Sequence, residues 1–186
     1  MYHALGVVKA ISLSSVPFES SHSPTQSSWG FDFTKHRNEA EDMNALGQVI
    51  ACVASLKDHF RVWCAANGVV LEGESLINGD RNVAIVHDLW NRDKHGELTR
   101  SRSGLWPELI HVGRGVIMRG TTGAAGVSIS LTTGTLHSTG DVFAGIDGIV
   151  VGKDGKKYGS VLTTIERAVE SWEHLLTAAG VFDKPA

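Results

Sequence analysis

Two helical segments, a stretch of strand period and a last helical segment succeed each other along this chain. From His36 to Asn67 the apolar residues Met43, Leu46, Val49, Ile50, Val53, Leu56, Phe60 and Trp63 recur at helical spacing, and Gly68 supplies a stop. Gly47 inside this segment costs ~1 kcal/mol against Ala, which predicts close packing of another element there. Asp80 to Gly96 forms a second helix with its own boundary signals. Asp80 suits the N-cap, Gly96 suits the position beyond the last turn, and Lys94 and His95 sit where cations favour the helix dipole. The stretch from Gly68 to Gly79 returns the chain, so the two helices are expected to form an antiparallel hairpin over 36–98.

After Gly96 the period shortens. Twelve glycines fall between Gly113 and Gly159 and nine elsewhere, interspersed with β-branched residues. Val116–Met118, Val127–Leu131 and Val142–Val151 read as strands, the second with Val127, Ile129 and Leu131 inward and Ser128 and Ser130 outward. Glycines within the third predict a bulge, and Lys153-Asp154-Gly155-Lys156 is a hairpin turn. The Thr-Thr-Gly triplets at 121–123 and 132–134 serve as turn punctuation. Residues 105–159 are thus expected to form an antiparallel meander of three to four strands. A last helix over 163–179 follows, with Thr163 and Glu166 as a capping box and Gly180 as its end. Its apolar stripe, Ile165, Ala168, Val169, Trp172, Leu175, Leu176 and Ala179, must cover the core. The fold class is α+β, with 36–186 as one domain.

The first 35 residues differ in composition. Residues 12–28 contain eight serines and two prolines, too little apolar surface to offset the entropy of ordering, so 1–35 read as a mobile arm. Phe18, Trp29, Phe31 and Phe33 complicate that picture, and Trp29–Phe33 would make a short strand or an anchor.

A chain of 186 residues with 42% hydrophobic and 20% charged content fits one globular domain. Its formal charge of −3 argues against a generally basic nucleic-acid coat. Cys52 and Cys64 share a helix and lie roughly 18 Å apart along it, beyond disulfide reach. Free thiols predict a reducing compartment, and with no apolar run of membrane length the expected location is cytoplasmic, with no membrane partner.

Candidate chemistry gathers on the second helix. Arg81, Ala84, Asp88, Asn91 and His95 fall within a sector roughly 80° wide, beside an apolar sector of Ile85, Val86 and Leu89. Asp88, Asn91 and His95 form a polar stripe, expected to act as a structural lock in which Asn91 and His95 tie the helix to its loop. Metal binding by these three, with or without His59, lacks a second carboxylate or a cysteine pair, so neither metal nor cofactor is expected. Arg92, Lys94, Arg100 and Arg102 could hold phosphates or form a solvated charged edge. Nucleotide-kinase, zinc-protease and serine-hydrolase motifs are absent.

Two resemblances attach to these residues. The helix pair carrying Leu56–Trp63 (LKDHFRVW) and His87–Arg100 (HDLWNRDKHGELTR) looks like a group of uncharacterised bacterial and phage-type proteins. Those share an Asp-x-x-Asn-x-x-Lys-His helix end, a following β segment and a terminal helix with a Trp like Trp172. This resemblance covers residues 36–180 and implies no activity. Arg81-Asn82-x4-His87 resembles the Arg-x4–6-His signature of HEPN domains (higher eukaryotes and prokaryotes nucleotide-binding), helical proteins that include metal-independent ribonucleases. That resemblance implies Arg81 and His87 as catalytic residues, RNA as partner, and a homodimer pairing two copies of the 80–96 helix. The glycine-rich β segment departs from the all-helical pattern of that family. Chemically, His87 would deprotonate a 2′-OH and Arg81 would stabilise phosphorane charge, whereas the structural alternative makes Arg81 a carboxylate partner and His87 a solvated or hydrogen-bonded histidine. Two function classes follow: a non-catalytic interaction or regulatory protein, or an HEPN-like endoribonuclease.

Overall fold

The computed structural model of the protein describes residues 6, 18–32, 38–118, 126–130, 135–139 and 142–182. Helix α1 (Glu39–Ala54) and helix α2 (Leu56–Asn67) occupy the first helical segment, followed by the short α3 (Gly73–Gly79), α4 (Arg81–His95) and the terminal α5 (Val161–Ala178). The segment expected as one helix therefore divides at Ser55, whose Oγ donates to the Cys52 carbonyl at 3.0 Å. Such back-bonding by a serine competes with the helical backbone ladder.

The antiparallel contact with α4 is made mainly by α1. Its N-terminal half, with Met43 and Gly47, borders the same groove as Arg92, Asp93 and Gly96 at the C-terminal end of α4. Gly68 ends α2 with φ +65°, the left-handed conformation that glycine adopts without a Cβ penalty. Helix α3 then takes up part of the expected return loop. Gly47 does not mark a close approach: a Cβ there would meet nothing within 4 Å. The tight helical glycine is Gly73, where a Cβ would lie 3.0 Å from Trp172.

The β region is a three-stranded antiparallel sheet in the order β3 (Glu108–Met118), β6 (Val142–Val151), β7 (Lys157–Ser160). Strands β4 (Gly126–Ser130) and β5 (Thr135–Thr139) pair separately as a hairpin. The expected antiparallel strands form, with the β4–β5 hairpin set apart: β3 skips its sequence neighbour and pairs with β6 from Met118↔Val142 to Glu108↔Val151. The predicted bulge exists, but the extra residue is on β3. His111 and Val112 face the single residue Gly148, and a Cβ on Gly148 would lie 2.9 Å from Val112 Cγ2. The 153–156 turn joins β6 to β7, with Gly155 at φ +75°. Leu131 and both Thr-Thr-Gly triplets lie outside the described residues.

Within the serine-rich arm, β1 (Phe18–His22) and β2 (Ser27–Phe31) form a hairpin that starts at Phe18↔Phe31. Residues 1–5, 7–17 and 33–37 lie outside the described residues.

Alternate β6 residues Val142, Ala144, Ile146 and Val150 are buried, and this face meets α5 and α1. Leu46, Val49, Ile50 and Val53 from α1, Val83, Ile85, Val86 and Leu89 from α4, and Leu162, Ile165, Val169 and Trp172 from α5 complete one core. The α+β class is confirmed, with helices preceding and following the sheet.

Helix α5 begins earlier than its capping box predicts. Ser160 is the N-cap, accepting from Thr163 N at 3.0 Å, and Asp147 on β6 accepts from Leu162 N at 3.0 Å. The sheet supplies this second cap, which a local motif cannot encode. Ser160→Ala should cost about 1 kcal/mol in urea-melt stability, whereas Thr163→Ala, at an exposed first-turn position, should be nearly neutral.

Candidate functional site

Helix α4 starts as its sequence dictates: Asp80 Oδ1 accepts from Asn82 N at 2.8 Å and Val83 N at 3.0 Å. Asp80 Oδ2 also accepts from Ser171 Oγ at 2.8 Å, fastening α4 to α5. From Val83 to Leu89 every residue is buried, because α1, α3 and α5 all pack on this helix. The protein's own helices therefore cover Val83–Leu89, and of the 80–96 helix expected to pair two copies only Arg81 and Asp93–Gly96 are exposed.

Asp88 lies at the centre and is 0% exposed. Its Oδ2 accepts from Ser101 Oγ at 2.7 Å, Ser103 N at 3.0 Å and Ser103 Oγ at 2.7 Å, while Oδ1 accepts from Arg102 N at 2.9 Å. One carboxylate thus satisfies two backbone amides and two hydroxyls of the 101–103 loop, an arrangement that offsets its desolvation. Ser101 Oγ also accepts from Trp106 N at 3.1 Å, extending the lock toward the start of β3.

His87 is likewise inside, only 4% exposed, with its ring edge-on to Trp90 at 5.6 Å between centroids. Asn91 Nδ2 lies 2.9 Å from His87 Nδ1. A donating amide makes Nδ1 the acceptor and places the ring proton on Nε2. Burial pushes the His87 pKa down to about 4, assisted by the positive charges of Lys57 and Arg102 and opposed by Glu74 and Asp88. The histidine is neutral near pH 7 and sealed from solvent. Asn91 thus pairs with His87 rather than with His95, which is exposed on a surface groove with Asn91, Glu97 and Arg100. The three-residue stripe splits into an inner lock and a solvent-facing end.

Arg81 and His87 do not converge. Arg81 is exposed and stacks over Tyr158 of β7, with its guanidinium carbon 4.9 Å from the ring centroid. The phosphate-binding group is dispersed too. Arg92 pairs with Glu108 at 3.2 Å, and Arg102 bonds Glu74 at 2.5 Å and Asn78 at 3.3 Å. Lys94 sits over Trp90 at 5.1 Å, and exposed Arg100 borders the His95 groove. Glu74 also takes Lys57 at 3.3 Å. Partial burial pushes the Glu74 carboxyl up, but its bonds to Lys57 and Arg102 outweigh this and hold it below the usual carboxylate value.

Sequence reasoning missed Ser101, Ser103 and Glu74, and also the buried Asp42, which Arg114 of β3 reaches at 2.8 Å. The Ser-Arg-Ser run ahead of Gly104 was a legible loop signal, but nothing in its spacing pointed to Asp88. Among the described residues no three His, Cys, Asp or Glu side chains gather so as to hold a metal ion, and no helix is long and apolar enough to cross a membrane. No family model matches the chain, and neither a curated protein nor a solved structure matches it.

Proposed function

We propose that this is a non-catalytic interaction or regulatory protein in which the polar stripe of α4 is architecture. The observation that carries the reading is Asp88, wholly buried and committed to four hydrogen bonds within its own chain. A carboxylate in that state has neither access to a substrate nor a free lone pair directed at one. The sheet offers a contact surface instead: an open groove is lined by Gly113, Gly115, Gly148 and Gly159 beside the exposed His111 and Lys157. Free Cys52 and Cys64 fit a reducing, cytoplasmic setting.

The HEPN-like ribonuclease is the reading to test against. Its base would be a histidine 4% exposed, and its cation an arginine stacked on Tyr158. Incubation of the purified protein with unstructured RNA in EDTA between pH 5 and 9 should give no cleavage. Cleavage that disappears in both Arg81→Ala and His87→Gln would overturn the non-catalytic reading.

A further inference from the structure

An open groove of about 340 Å³ lies between α1, the C-terminal end of α4 and the start of β3. Ile50, Leu89 and Leu109 provide apolar lining, and Met43, 46% exposed, forms a flexible margin. The groove is open above Gly47, where a Cβ would touch nothing within 4 Å. The volume is within the range of small-molecule sites, which combine apolar lining with a few polar groups.

The rim decides the charge of the occupant. Arg92, Asp93 and Glu108 border the groove, and the Arg92 guanidinium is already neutralised by Glu108 at 3.2 Å. Exposed Asp93 is left as a net negative charge. Gly96, the cap of α4, also borders the groove, so the negative end of the helix dipole adds to it. An apolar cleft with a negative rim complements an amphipathic cation and opposes a fatty acid or other carboxylate.

We propose that this groove binds a small organic amine, an alkyl or aryl group bearing one ammonium, with the apolar part over Leu89 and Ile50 and the ammonium beside Asp93. The site is separate from the Asp88 lock and does not depend on the protein being non-catalytic.

Octylamine, octanol and octanoate are the probes, titrated below their micelle-forming concentrations and followed by amide chemical shifts and calorimetry. Octylamine should bind at least tenfold more tightly than octanol, with shifts at residues 43–50 and 89–96, and octanoate should not bind measurably. Asp93→Asn should weaken octylamine about tenfold while leaving octanol unchanged. Gly47→Leu should fill the groove and abolish binding of octylamine and octanol, with Gly47→Ala as the control that retains it. Retained binding in a folded Gly47→Leu protein would place the amine elsewhere and overturn the proposal. Equal affinity for octylamine and octanol would overturn its charge argument. No shifts with any probe would also refute it, and a dimer signal that Gly47→Leu abolishes would reassign the groove to a second copy of the chain.

Discussion

Asp88→Ala is expected to lower folding stability by about 3 kcal/mol, the order found when a buried, fully hydrogen-bonded charge loses its network. Truncation removes the acceptor for Ser101 Oγ, Arg102 N, Ser103 N and Ser103 Oγ together. It also frees the 101–103 loop, where Arg102 bonds Glu74 of α3. Asp88→Asn should not rescue the protein. An amide oxygen placed at Oδ2 keeps three of the bonds, but its NH2 then faces Arg102 N, donor against donor. Ser103→Ala, losing one hydroxyl, should cost about 1 kcal/mol. Urea melts of the three variants order the effects, and hydrogen exchange at Arg102 and Ser103 should rise in both Asp88 variants. A loss below 1 kcal/mol for Asp88→Ala would show that the loop is held by other contacts.

The second large effect is pH-dependent. His87 has a folded pKa of about 4 against 6.5 for a free histidine. Between these values the unfolded chain binds a proton that the folded chain refuses. Its contribution is therefore complete above pH 6.5, declines as pH falls, and is lost by pH 4. A shift of this size corresponds to about 3 kcal/mol. The groups around the ring set the direction: burial comes first, then the cations Lys57 on α2 and Arg102 in the loop, against Glu74 on α3 and Asp88 on α4. Carboxylates elsewhere also titrate in this window, so the quantity to measure is the stability difference between the native protein and His87→Gln. That difference should change by about 3 kcal/mol from pH 7 to pH 4 in favour of the variant. A constant difference would mean that His87 is charged in the folded state or hydrated there.

The native protein should also be less stable at neutral pH when His87 is cut to Ala. The ring packs on Trp90 and bonds Asn91, so the residue is structural even though no sequence signal separates it from a solvated histidine. The same ambiguity affected Arg81. An Arg and a His at the spacing of Arg81 and His87 arise often by chance, and the fold alone decides whether the two side chains share a cleft.

What the sequence by itself determined lies within a few residues of its cause. The α4 boundaries follow from Asp80, whose carboxylate caps the amides two and three residues onward, and from Gly96. The stops at Gly68 and Gly180, the Asp154-Gly155 turn and the apolar stripe of α5 were equally legible, because backbone bonding and side-chain period are local. Only the tertiary structure decided the partners. Asp88 meets a loop 13 to 15 residues away, Arg114 meets Asp42 across 72, and Ser171 meets Asp80 across 91. The pairing of β3 with β6, the earlier start of α5 under Asp147 and the burial of His87 belong to the same class. Each depends on which elements share the core, and desolvation there converts residues that read as chemistry into fasteners of the fold.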